Sequence, residues 1–188
     1  MSGQEKEKGS IKKMNFKNHE SDLKQLLQIP VPGRKKFYHK GCYIIQRDAG
    51  DLSYKIGMSW GKSGLLVRLR SYKICFPYVN EFYVKYLVLS STSDDAKMLE
   101  KRVLAQRKLK HIEKNPTAQG RRSNEYRFTS SAQVLKNVLK RVLDANPNIW
   151  THLILFGENG WKLIPNLGHA VRDLSAPSNR ITAMPTPF

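Results

Sequence analysis

One stretch of eight residues, Phe82-Tyr83-Val84-Lys85-Tyr86-Leu87-Val88-Leu89, constrains this chain more than any other. It is apolar on nearly both alternating faces, with only Lys85 interrupting. A strand with one wet face alternates apolar and polar residues, whereas a strand apolar on both faces must be covered on both. The covering segments are present. Leu65, Leu66, Leu69 and Tyr72 recur at helical spacing, as do Ala96, Leu99 and Val103. The most regular series is Val134, Leu135, Val138, Leu139, Val142 and Leu143, opened by Ser130 or Ser131 and stopped at Asn146-Pro147. The pattern predicts a small α/β (α+β) domain, a mixed or antiparallel central sheet flanked by helices.

Further strands surround that one. Gly41-Cys42-Tyr43-Ile44-Ile45 and Ser53-Tyr54-Lys55-Ile56-Gly57 flank the turn residues Asp48-Ala49-Gly50-Asp51, a hairpin pattern. Asn124 to Phe128 reads as a short closing strand, and Ile149 to Ile164, turning at Asn159-Gly160, as a C-terminal hairpin. Residues 1–13 have almost no apolar anchors and read as a flexible tail, followed by a short helix within 16–27 and a break at Pro30-Val31-Pro32-Gly33. The organisation expected is a basic extension over 1–36, a core domain over 37–146, and a hairpin with tail over 147–188. Extensions at both ends suit an assembly partner.

Charge narrows the function. The 188 residues carry 33 Lys and Arg against 15 Asp and Glu, a formal net charge of +18. Self-repulsion of that size opposes compaction unless a polyanion neutralises it, and nucleic acid is the expected partner. Cys42 and Cys75 lack metal-ligand spacing and read as small core hydrophobes, so they support neither a disulfide framework nor a zinc site. No apolar run approaches the ~20 residues of a membrane span. A soluble, intracellular protein in a reducing compartment is expected. Gly61-Lys62-Ser63 echoes a phosphate-binding loop, but the earlier glycine of G-x-x-x-x-G-K-[ST] is missing.

Five fragments occur in one order: Gly41-Cys42-Tyr43, Tyr54-Lys55-Ile56-Gly57, Arg68-Leu69, Leu99-Glu100-Lys101-Arg102 and Glu125-Tyr126-Arg127-Phe128. Together they resemble the GIY-YIG nuclease superfamily, and within it the phage and large-DNA-virus branch whose second motif reads Tyr-Lys-Ile-Gly. The resemblance covers roughly Lys40 to Thr129, about half the chain. Two positions depart from the founding pattern. Cys42 replaces an isoleucine, and Lys55 stands where that pattern has tyrosine, leaving Tyr54 one residue away and on the opposite strand face.

The resemblance implies a Mg²⁺- or Mn²⁺-dependent DNA endonuclease with Tyr43, Lys55, Arg68 and Glu100 as catalytic residues. Tyr43 would orient or activate water, Arg68 would grip the phosphate, Lys55 would lower the tyrosine's pKa, and Glu100 would hold the metal. The chemistry suits these types. Arginine's planar fork holds phosphate bidentately, and Mg²⁺ accepts one carboxylate with water and phosphate oxygens as its other ligands. Arg34, Lys35, Lys36, Lys62 and Tyr72 are the candidates for holding the substrate backbone. Tyr43, Arg68 and Glu100 are expected to converge in one cleft. The alternative is a catalytically inactive relative that binds nucleic acid or serves as a structural protein, as in a virion; for a viral protein the location implied is the host cytoplasm or the virion.

Overall fold

A computed structural model describes residues 16–28, 40–46, 52–59, 64–75, 82–111, 126–157 and 160–168. In chain order these form helix α1 (Phe16–Leu26), strands β1 (Lys40–Gln46) and β2 (Ser53–Ser59), helix α2 (Gly64–Cys75) and strand β3 (Tyr83–Ser90). Helix α3 (Ser93–Leu104), strands β4 (Lys110–His111) and β5 (Tyr126–Phe128), helix α4 (Ala132–Asp144) and the hairpin β6 (His152–Gly157) and β7 (Gly160–Pro165) follow.

All seven strands join one sheet in the order β4-β5-β2-β1-β3-β6-β7, and every neighbouring pair is antiparallel. The C-terminal hairpin is therefore continuous with the core: β6 pairs with β3, and Ile154 is fully buried. The two-residue β4 falls in a segment whose turn residues and basic charge give no strand signal.

Alternation along β1 sorts the core into two clusters. Tyr43 and Ile45 pack with Leu23 and Leu27 at the end of α1 and with Leu65 and Leu69 of α2. Cys42 and Ile44 pack with Leu99 and Val103 of α3 and with the α4 stripe from Leu135 to Leu143. Successive strand side chains point to opposite faces, so α1 and α2 cover one face and α3 and α4 the other. This is the double cover that the Phe82–Leu89 run demands. Lys85 explains how that run keeps both faces apolar. The β1–β3 register shifts between Ile44 and Ile45, and Lys85 is the extra residue of a bulge. Val84 and Leu87 consequently reach the same cluster although they are an odd three positions apart.

The helix ends follow local rules. Thr92 caps α3: its hydroxyl oxygen accepts from the Asp95 amide at 3.1 Å and donates to the Asp95 carboxylate at 2.6 Å. Ser131 caps α4 by accepting from the Val134 amide at 3.3 Å. At the far end of α3, buried Arg127 donates to the Leu104 carbonyl, satisfying a terminal acceptor of the helix.

Candidate functional site

The hairpin β1–β2 pairs Tyr43 with Gly57 and Ile45 with Lys55. A strand pair at these positions puts both side chains of each pair on one face. Tyr43 and Lys55 thus share the face that α2 covers, while Tyr54 joins Cys42 and Ile44 in the opposite cluster. The one-residue displacement of the second tyrosine has the consequence expected of it.

Tyr43 lies across Gly57. A Cβ at Gly57 would meet the Tyr43 hydroxyl and ring well inside contact distance, so only glycine leaves room for the ring. Gly41 is equally tight, since a Cβ there would strike the Val88 carbonyl oxygen of β3 and a Leu65 methyl. The Gly41 amide donates to the Ser59 hydroxyl at 3.2 Å, tying the end of the hairpin together. Tyr43 is only 1% exposed. Water does not reach its ring without displacement of packed side chains.

Lys55 is half-buried, and its ammonium stands 4.9 Å from the centre of the Tyr126 ring on β5. Tyr126 is the cross-strand partner of Lys55, so β5 pairing creates this contact. Arg68 is half-buried on α2, next to fully buried Leu69, and its Nε is buried.

Glu100 is placed differently. It follows fully buried Ala96 by one helical turn on α3 and is half-buried there. Its carboxylate faces the other side of the sheet. Burial first, and the Glu100 charge second, push the Cys42 thiol well above its ordinary range. Tyr43, Lys55 and Arg68 are therefore on one side, and Glu100 on the other. The three residues expected to converge in one cleft, Tyr43, Arg68 and Glu100, do not share a face of the sheet. The physical reason is that α3 follows β3 directly and crosses to the face that the β2-α2-β3 connection leaves uncovered.

One relation between the two sides remains. β2 and β3 both run antiparallel to β1, so α2 and α3 start at the same end of the sheet, beside Gly41, Ser59 and Ser90. Side chains on a helix lean toward its N-terminus. Arg68 and Glu100 therefore both lean toward that end from opposite layers.

As a metal ligand, Glu100 has the donor chemistry of a site that takes one carboxylate and completes its shell with water and phosphate. No group of three His, Cys, Asp or Glu able to hold a metal occurs among the described residues. Arg34, Lys35, Lys36 and Lys62 lie outside the described residues, and Tyr72 falls within α2. Both terminal tails lie outside them as well. No helix among the described residues is long and apolar enough to cross a membrane. Tyr126 and the end-tying Ser59 were missed as neighbours of the hairpin, because only strand pairing brings them there. Comparisons of the chain with family models, curated proteins and solved structures return no match.

Proposed function

We propose that this chain is a GIY-YIG-like endonuclease that binds DNA and hydrolyses its phosphodiester bonds with Mg²⁺ or Mn²⁺. The observation that supports the reading is the hairpin geometry: Tyr43 seated on Gly57, with Lys55 two residues along the same face beneath the Arg68 helix. In the reaction a water oxygen adds to phosphorus, the phosphorus–oxygen ester bond breaks, and the departing oxygen takes up a proton. Arg68 would hold the non-bridging oxygens as charge builds on them, and Lys55 would add positive charge beside them. Tyr43, 1% exposed, would orient the attacking water through its hydroxyl once the side chains packed over it are displaced. Glu100 would hold the metal, which when bound neutralises phosphate charge. The phosphate would sit at the end of the sheet where α2 and α3 begin, since Arg68 and Glu100 both lean there.

A second reading, DNA binding without cleavage, is favoured by the burial of Tyr43 and by Glu100 facing the other layer. A plasmid-nicking assay with Mg²⁺ or Mn²⁺ separates the two. In the nuclease reading Arg68→Ala and Glu100→Gln abolish nicking, while Glu100→Gln retains DNA affinity in a mobility-shift assay. Lys55→Ala slows cleavage by roughly 10²-fold, the usual worth of one transition-state contact. Wild-type protein that shifts DNA but nicks it no faster than the variants establishes the binding reading.

A further inference from the structure

Helices α3 and α4 repeat one charge pattern. Lys97-Met98-Leu99-Glu100-Lys101-Arg102 and Lys136-Asn137-Val138-Leu139-Lys140-Arg141 place two lysines four apart and an arginine directly after. Burial follows the same register in both: Leu99 and Val103 go inward on α3, Val138 and Val142 on α4. All six cations are exposed. Both helices cover the same face of the sheet, so the two sets stand side by side on one outward surface. Arg107 and Lys108, directly beyond α3, are exposed as well.

The opposing layer differs. On α1 and α2, exposed Arg70 is tied to Glu20 at 2.5 Å, and Lys24 is accompanied by exposed Asp22. On the α3–α4 layer Asp94 and Asp95 lie in the first turn of α3, Glu100 is half-buried, and on α4 Lys140 pairs with Asp144 at 2.5 Å with both groups largely in water. An exposed i,i+4 pair of that kind is worth little and exchanges readily for a stronger anion.

We infer that the outward surface of the α3–α4 layer is where a DNA duplex lies, held by its phosphates. The inference rests on the nucleic-acid reading above and goes beyond it by assigning the surface, on the layer opposite Tyr43 and Arg68. Within a helix the paired lysines are one turn apart, about 6 Å. The two helices stand about 10 Å apart, so the cations form two rows across the layer. A duplex carries one charge per ~1.7 Å of its axis and presents phosphates to both rows. Flat rows of cations without recessed hydrogen-bonding groups read phosphate and not base sequence. Binding on this surface is separable from any chemistry at Tyr43, Lys55 and Arg68; a duplex that is also cut has to reach from it over the end of the sheet where α2 and α3 begin.

The test uses the full chain and a 30-base-pair duplex of arbitrary sequence, with affinity measured from 50 to 200 mM salt. Two variants each carry three changes: Lys97→Gln, Lys101→Gln, Arg102→Gln on α3, and Lys136→Gln, Lys140→Gln, Arg141→Gln on α4. All six side chains are exposed, and thermal melts confirm that each variant folds. A third variant, Lys24→Gln with Arg70→Gln, is the comparator on the opposite layer. Each three-change variant should flatten the log–log salt slope by about 3. The drop in affinity between 50 and 200 mM salt then shrinks roughly 40-fold relative to wild type. The comparator should keep the wild-type slope. Wild-type binding with unchanged slopes in both three-change variants overturns the surface and leaves the nucleic-acid reading standing. A comparator that alone flattens the slope moves the duplex to the α1–α2 layer. No wild-type binding at 50 mM salt overturns both, and binding instead to phosphatidylserine vesicles, lost in the same variants, reassigns the surface to a membrane.

Discussion

At Gly57 one methyl group has nowhere to go. Its Cβ would displace the buried Tyr43 ring, and a core side chain held on all sides cannot rotate away. Gly57→Ala should destabilise the protein by about 1–3 kcal/mol, the usual cost of overpacking, read as a lower urea midpoint. Gly41→Ala should cost more, because its Cβ meets a backbone carbonyl that belongs to the sheet ladder. Equal losses at the two glycines would show that Tyr43 is as immobile as backbone. Cys42 provides a pH signature. Its thiol pKa is raised in the folded state above the ordinary 9.0, so above pH 9 the unfolded chain releases a proton that the folded chain keeps. Stability is fully present below that pH and falls as pH rises, by up to about 2 kcal/mol at pH 10.5. Tyr86, whose pKa burial also raises, adds to the fall above pH 10. Urea unfolding at pH 8 and 10.5 should show the decline, and Cys42→Ala should make it shallower.

Among the elements, α3 depends most on its first turn. Thr92 and Asp95 satisfy each other there, while Asp94 and Asp95 place negative charge against the positive end of the helix. Thr92→Ala should cost about 1 kcal/mol in a urea melt. Since α3 carries both Glu100 and the Lys97 series, the same change should weaken DNA binding as its first turn frays. Unaltered binding after a measured loss of stability would mean that the helix stays docked through Leu99 and Val103 alone. Arg127 supports the other end of α3 from β5, and in the sequence it is indistinguishable from the many exposed arginines. The closing strand, read for its Glu-aromatic pattern, thus serves as a clamp between the sheet and α3.

For the molecule as a whole, a net charge of +18 over 188 residues is the dominant electrostatic fact. Repulsion among so many cations is screened as the Debye length falls from about 10 Å at 0.1 M salt toward 3 Å at 1 M. Raising sodium chloride from 50 to 500 mM should therefore increase Tm by several degrees in a fluorimetric melt. A fall in Tm would mean that favourable ion pairs outweigh the repulsion. In the proposed nucleic-acid reading, duplex DNA at low salt should raise Tm more than sodium chloride does, because a ligand of the folded state alone stabilises it.

Local sequence patterns determined most of the elements: Phe82–Leu89 as a doubly covered strand, Ser130 or Ser131 as a cap, and Asn146-Pro147 as a stop were legible because each is a local pattern with a local physical cause. The alternation of Tyr43, Tyr54 and Lys55 across strand faces was legible for the same reason. Which helix covers which face was not. Arg68 and Glu100 each border an apolar stripe, and a stripe says that a helix faces a sheet without saying which side of it. That choice belongs to chain topology: the crossover through α2 occupies one face and leaves α3 the other. Pairing of β5 with β2, which brings Tyr126 under Lys55, and of β6 with β3, which fuses the hairpin to the core, likewise joins segments far apart in the chain. No local pattern encodes such pairings, and only the packed tertiary structure decided them.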